Sequence, residues 1–168
     1  MINLQDITLR NFVTSDKTRL IEVLNHPDVT RYLSSKIPSP YSEEDALWWI
    51  DEGSKQGFVK AICYQGKFVG CIGVNPGEFE YQRAGELGYW LDNAYWGKGI
   101  MSQAIELITT EVFRTTPIVR IFAAVFDPNM PSKKVLLKSG FHQEAVLKSA
   151  IFKDGTFYDN HLFVKLKI

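Results

Sequence analysis

The chain has 168 residues, 45% of them hydrophobic and 13% aromatic, which is enough apolar surface for one domain over residues 1–168 and excludes a disordered segment. Nineteen basic side chains balance nineteen acidic ones and the sequence pI is near 6.8, so no broad basic footprint for nucleic acid or anionic lipid exists, and a small partner is expected. Two cysteines, Cys63 and Cys71, are too few for a disulfide framework, stand at no metal-ligand spacing, and read as buried free thiols; no run approaches the roughly 20 apolar residues of a membrane span. With an N-terminus that alternates polar and apolar residues instead of forming an apolar leader, the expectation is a cytoplasmic protein.

Residues 5–12, QDITLRNF, alternate as a strand. Residues 14–35 turn helical, with Thr14 or Ser15 as cap, Leu20, Ile21 and Leu24 at helical spacing, and Pro27 as breaker. Ser42 then precedes EEDALWWIDEG, whose acidic first turn suits a helix dipole, and Gly53 stops it. FVKAICY and KFVGCIGV flank Gln65-Gly66, a two-residue hairpin signal. After the loop NPGEFEYQR comes AGELGYWLD as a strand, YWGKG as a junction, and a helix from Ile100 with Met101, Ala104, Ile105, Ile108 and Val112 in one stripe. RIFAAVF reads as a strand buried on both faces, SKKVLLKSG as a short helix with Pro131 near its start, and the last two runs pair around Asp154-Gly155. The order predicts an α+β fold, a mixed but mostly antiparallel sheet of about seven strands flanked by about four helices.

The junction YWGKGI carries the chemistry. A helix N-terminus leaves backbone N–H groups unpaired and bears about half a positive charge. Gly97 and Gly99 let the backbone approach a bulky anion, and Lys98 adds a mobile cation. A G-x-G pair by itself fits a tight turn as well as a phosphate site. A P-loop and a dinucleotide fingerprint both require further residues that this chain lacks.

ELGYWLDNAYWGKGIMSQAIE, followed by DPNMPSKKVLLKSGF and the FKDGTFYD hairpin, resembles the GNAT acetyltransferase superfamily, and most of all its RimJ/RimL-like branch. The resemblance spans nearly the whole chain and implies transfer of acetyl from acetyl-coenzyme A to a primary amine. It implies that the amides of Trp96, Gly97, Lys98, Gly99, Ile100 and Met101 hold the coenzyme's pyrophosphate. It also implies that Leu91 and its neighbours pair with the pantetheine arm in a gap between GELGYW and RIFAAVF, that Asn129 and Ser132 line the far side, and that Lys133 or Lys134 meets the nucleotide phosphates. The first position of the family's phosphate motif is Ala94 here, a departure of little consequence where backbone supplies most contacts.

Acetyl transfer needs a neutral amine, so a carboxylate must take its proton directly or through water. Glu86, on the strand leading to the junction, is the first candidate, with Glu78 and Glu80 behind it; a solvated or salt-bridged strand glutamate is the plain alternative. A backbone N–H near Tyr89–Leu91 would polarise the carbonyl, as in relatives. Leu136 stands where many superfamily members carry a tyrosine acid, leaving Ser132 or Tyr158 to meet the departing thiolate, or else to act as a helix-start residue and a packed aromatic. His26, His142 and His161 have no metal-ligand spacing, so no metal is expected, and Trp48-Trp49 serve an acceptor pocket or the core. The acceptor is a peptide N-terminus, including that of a ribosomal protein, or a small amine. A coenzyme A-binding sensor without turnover is the rival reading, and an exposed C-terminal edge strand would permit a homodimer.

Overall fold

The computed structural model describes residues 3–168; Met1 and Ile2, at the start of the alternating N-terminal stretch, lie outside the described residues. Period-two runs form seven strands: β1 (Ile7–Arg10), β2 (Phe58–Tyr64), β3 (Lys67–Pro76), β4 (Ala84–Leu91), β5 (Arg120–Phe126), β6 (His142–Lys153) and β7 (Thr156–Leu166). They make one sheet in the order β1-β2-β3-β4-β5-β7-β6, antiparallel throughout except for β4 with β5. Both two-residue hairpin signals hold. Gln65 and Gly66 have φ of 51° and 76°, Asp154 and Gly155 of 49° and 76°, the paired positive dihedrals that match strand twist.

Five helices cover the sheet: α1 (Lys17–Leu24), α2 (Pro27–Thr30), α3 (Glu43–Asp51), α4 (Ile100–Thr115) and α5 (Met130–Lys138). On one face α4 and α5 bury Ile100, Ile105, Ile108 and Leu136 against Val74, Leu87, Ile121 and Phe163. On the other, α1–α3 bury Leu20, Val29, Ala46 and Ile50 against Ala61, Phe68, Cys71 and Trp90. Cys63 and Cys71 are buried free thiols, and burial pushes both upward in pKa. No helix among the described residues is long and apolar enough to cross a membrane.

Four expectations need correction. The first strand begins only at Ile7, because Leu4–Asp6 forms a 3-10 turn. The helical stretch over 14–35 is a 3-10 turn, α1 and α2 in succession, with Pro27 opening α2 instead of only ending α1. Its caps are neither Thr14 nor Ser15: Val13 precedes the 3-10 turn and Asp16 precedes α1, neither with a side-chain cap bond, and buried Asp16 instead accepts from the Val13 amide at 2.9 Å and pairs with Arg10. Finally, β5 is buried on one face alone, through Ile121, Ala123 and Val125, while Ala124 is exposed and Phe122 and Phe126 are half-buried. The cause is coverage, since α1–α3 pack over β2–β4 and stop short of β5.

Candidate active site

The parallel β4–β5 pairing lasts only from Ala84–Arg120 to Glu86–Phe122. Beyond Glu86, β4 stays on β3 up to Leu91 while β5 follows β7 to Phe126, so the two strands splay and leave a gap. The Asp92 amide turns toward β3, donating to Val69 O at 2.8 Å. By strand alternation, the N–H and C=O groups of Tyr89 and Leu91 therefore face the gap. The Trp96 indole fills one of these valences, its Nε1–H donating to Leu91 O at 2.8 Å.

The junction sits at the head of this gap. Asn93–Tyr95 makes a 3-10 turn capped by Asp92, which accepts from the Ala94 amide at 3.0 Å. Gly97 and Gly99 have φ of 71° and 82°, and a Cβ on either would meet no protein atom, so these glycines are demanded by backbone dihedral and not by packing. Gly99 caps the 16-residue α4 without a side-chain bond. Among the described residues, the amides of Gly97, Lys98, Gly99, Ile100, Met101 and Ser102 have no protein partner, a row of donors at the positive end of a helix dipole. The Trp96 amide differs from expectation: it donates to Asn93 O at 3.3 Å, so the free row begins one residue later. Tyr95 anchors the turn by packing edge-on against Tyr64 at 6.2 Å, and Lys98 lies over the Tyr95 ring at 5.3 Å.

The two faces of the gap carry different chemistry. Toward α5, the Asn129 side chain accepts from the Ser132 amide at 3.4 Å, and Ser132 Oγ lies 2.5 Å from the Tyr89 hydroxyl. Leu136 is fully buried in the core, so the familiar acid position is a packing position. Lys133 turns to Asp127 at 3.4 Å, and His161 Nε2 donates to the same carboxylate at 2.6 Å, which ties α5 to β7; Lys134 is exposed. Toward α2, Glu86 is exposed beside the bare Gly88. By register, Glu86 shares that face with Phe122, and Phe126 shares it with Asn160, whose Oδ1 is buried without a partner. Tyr158 packs on Phe126 at 5.3 Å and Tyr32 on Phe126 at 5.6 Å. Tyr158 and Ser132 therefore lie on opposite faces and do not converge. Glu78 and Glu80 sit in the β3–β4 loop, at the end of β4 away from the splay. Trp49 packs against Phe12 and Trp48 is exposed, so the tryptophan pair divides between core and surface. No cluster of described residues could hold a metal ion.

Sequence reading missed the ties that hold these faces together. Lys153 Nζ donates to Thr30 O, Arg31 O and Leu33 O at 3.0, 3.1 and 2.7 Å, lashing the β6–β7 hairpin to the end of α2. Arg19 of α1 pairs with Asp92 beneath the junction, and His26 Nδ1 accepts from the Asp28 amide while its Nε2 meets Asn93 at 3.5 Å. Apart from the local His26–Asp28 bond, these partners stand 67 to 123 residues apart, beyond any local signal. Burial works against the Asp92 charge, but the Ala94 amide and Arg19 outweigh it and hold the carboxyl below its usual range. A depressed carboxylate contributes stability that is full above about pH 4 and fades as pH falls through its folded value. Asp92→Asn should thus cost about 1–3 kcal/mol at neutral pH, leaving Arg19 with only its exposed partner Glu22, and denaturant titrations of the two proteins should converge in acid.

A family model described as an acetyltransferase (GNAT) domain matches residues 6–142. The chain belongs to the GNAT acetyltransferase family. This GNAT enzyme is 30% identical over 166 residues to an uncharacterized N-acetyltransferase, p20, of Bacillus licheniformis, across 96% of this chain and 93% of that one. It is 27% identical over 163 residues to the ribosomal-protein-serine acetyltransferase of Escherichia coli, across 94% and 85% of the two chains. Its fold matches a ribosomal L7/L12 alpha-N-protein acetyltransferase solved with coenzyme A at a TM-score of 0.84 and 24% identity, over 96% of this chain and 94% of that one. The GNAT chain is accordingly an acetyl-coenzyme A-dependent N-acetyltransferase of RimJ/RimL-like architecture.

Proposed function

We propose that this enzyme is a cytoplasmic, single-domain N-acetyltransferase that moves acetyl directly from acetyl-coenzyme A to the α-amine of a protein N-terminus, a ribosomal protein's being the first to test, with small amines as the second class. The observation that carries the reading is the gap between β4 and β5, with the free amide row of α4 at its head. The acceptor preference draws on the ribosomal-protein-serine acetyltransferase among the relatives.

In this reading the amides from Gly97 to Met101 bind pyrophosphate, Lys98 swings from Tyr95 to add charge, and pantetheine lies in the gap along the Leu91 amide and the backbone of Tyr89. Asn129, Ser132 and Lys133 flank it on the α5 side. The thioester carbonyl accepts from a β4 amide facing the gap. The amine approaches from the opposite face, over Phe126, and Glu86 takes its proton directly or through water. Nitrogen attacks the carbonyl carbon, the C–S bond breaks, and the electron pair leaves on sulfur, an acceptable leaving group because a thiol pKa is only about 8.5. Tyr158, on the amine face, has no route to that sulfur and contributes to the acceptor wall. The exposed edge strand β6 is available for pairing with a second copy.

A thiol-release panel of N-terminal peptides, polyamines, amino acids and aminoglycosides tests the reading. Acetyl-coenzyme A should raise the melting temperature, and peptides should release thiol fastest. Binding without release from any amine would leave only a coenzyme A-binding module.

A further inference from the structure

We propose that Tyr89 is the positioning residue for Ser132: it donates its hydroxyl proton to Ser132 Oγ, which leaves the Ser132 proton free to bond the departing sulfur of coenzyme A. The inference deepens the reading above and rests on it. The two residues are 43 positions apart and meet only because β4 and the start of α5 border the same gap, their oxygens 2.5 Å apart.

Direction follows from what else each oxygen can reach. Alternation puts Tyr89 on the face of Leu87 and Leu91, where it packs against the α4 core, and no other polar group among the described residues bonds its hydroxyl. Burial pushes the phenol to about 12, against the opposing effect of Ser132, so it stays protonated and keeps a hydrogen to donate. Its one acceptor is Ser132 Oγ. That oxygen has no second partner among the described residues, and its amide is held by Asn129, which fixes the serine at the first turn of α5. A hydroxyl whose lone pair is engaged by a neighbour turns its own hydrogen outward. Here outward is the gap, on the face opposite the incoming amine. Leu136, one turn further along α5, is apolar and fully buried and offers no competing hydrogen.

No proton has to leave either hydroxyl. The amine proton goes to Glu86, the new C–N bond replaces C–S, and the thiolate departs into a bond from Ser132 O–H that Tyr89 polarises through the chain Tyr89→Ser132→sulfur. The arrangement lowers the cost of negative charge on sulfur without creating a buried tyrosinate.

The test reads the bound coenzyme's own thiol. Wild type, Tyr89→Phe, Ser132→Ala and the double variant are saturated with coenzyme A, and ultraviolet thiolate absorbance is titrated against pH. Coenzyme affinity should stay within a few-fold in all four. The bound thiol should titrate about one pH unit higher in each single variant, with no further rise in the double variant, since the two hydroxyls act as one unit. A merely structural tyrosine would not move this titration. If Tyr89→Phe matches wild type while Ser132→Ala shifts, or if the two effects add, the proposal is overturned. Should Tyr89→Phe fold poorly, 3-fluorotyrosine at position 89, a stronger donor, should lower the thiol titration below wild type, and no change would sink the idea equally. Failure of wild type to bind coenzyme A would overturn the acetyltransferase site reading itself, a result distinct from an unshifted titration.

Discussion

Gly99→Trp should abolish the response to acetyl-coenzyme A. At a ligand concentration about 100 times its Kd, wild type gains about 2.7 kcal/mol of stability from binding, and the variant should gain nothing measurable. Two effects combine. Gly99 holds φ at 82°, where a side chain costs about 1–3 kcal/mol of backbone strain, and the space over its Cα is open only because no protein atom fills it. The indole would stand where the anion must approach the amides of Gly97–Met101. Strain alone is controlled by Gly66→Trp, at φ 76° in the remote β2–β3 hairpin and equally free of neighbours. That variant should lose stability yet keep its full coenzyme response, measured by thermal shift and calorimetry. Undiminished affinity in Gly99→Trp would remove the phosphate site from the α4 terminus.

Glu86→Gln should lower kcat by about 100- to 10,000-fold while acetyl-coenzyme A affinity holds near wild type. Glu86 is exposed on the open face, beside Gly88 and across from Phe122, and its carboxylate makes no hydrogen bond or ion pair among the described residues, so the change removes a charge without unpairing a partner. The pH profile separates a base from a binding group. An α-amine loses its proton near pH 8 unaided, so the deficit should shrink above about that value as free amine accumulates. Wild-type turnover in this variant would move proton removal to another group or to water.

Local chemistry explains how much could be read early. Hairpins at Gln65-Gly66 and Asp154-Gly155 are visible because positive φ at two successive residues demands particular side chains. The stripe of α4, the cap of α3 by Ser42 and the donor junction YWGKGI are legible for the same reason: each is decided within a few residues. The first helical region misled, since residue type favours Thr14 and Ser15 as caps, whereas the residues at the two helix starts are Val13 and Asp16, and Asp16 is spent on Arg10 and the Val13 amide. β5 misled as well. Its composition fits a strand buried twice, and the position of α1–α3 alone left one face bare.

Tyr89 marks the boundary between the two kinds of knowledge. In GELGYWLD it is one more strand aromatic, and period two assigns its face but not its partner. Its hydroxyl acquires a role only when the gap brings Ser132 within 2.5 Å. Tyr158 went the other way: a candidate acid by residue type, it is separated from Ser132 by the thickness of the sheet and stacks on Phe126. By itself the amino-acid sequence determined most of the element order, the glycine-bearing junction at the head of α4 and the family, because spacing and dihedral preference are local and survive without neighbours. Only the tertiary structure decided which polar groups meet and on which face of the gap, because those distances are set by how strands separated by tens of residues splay and pack.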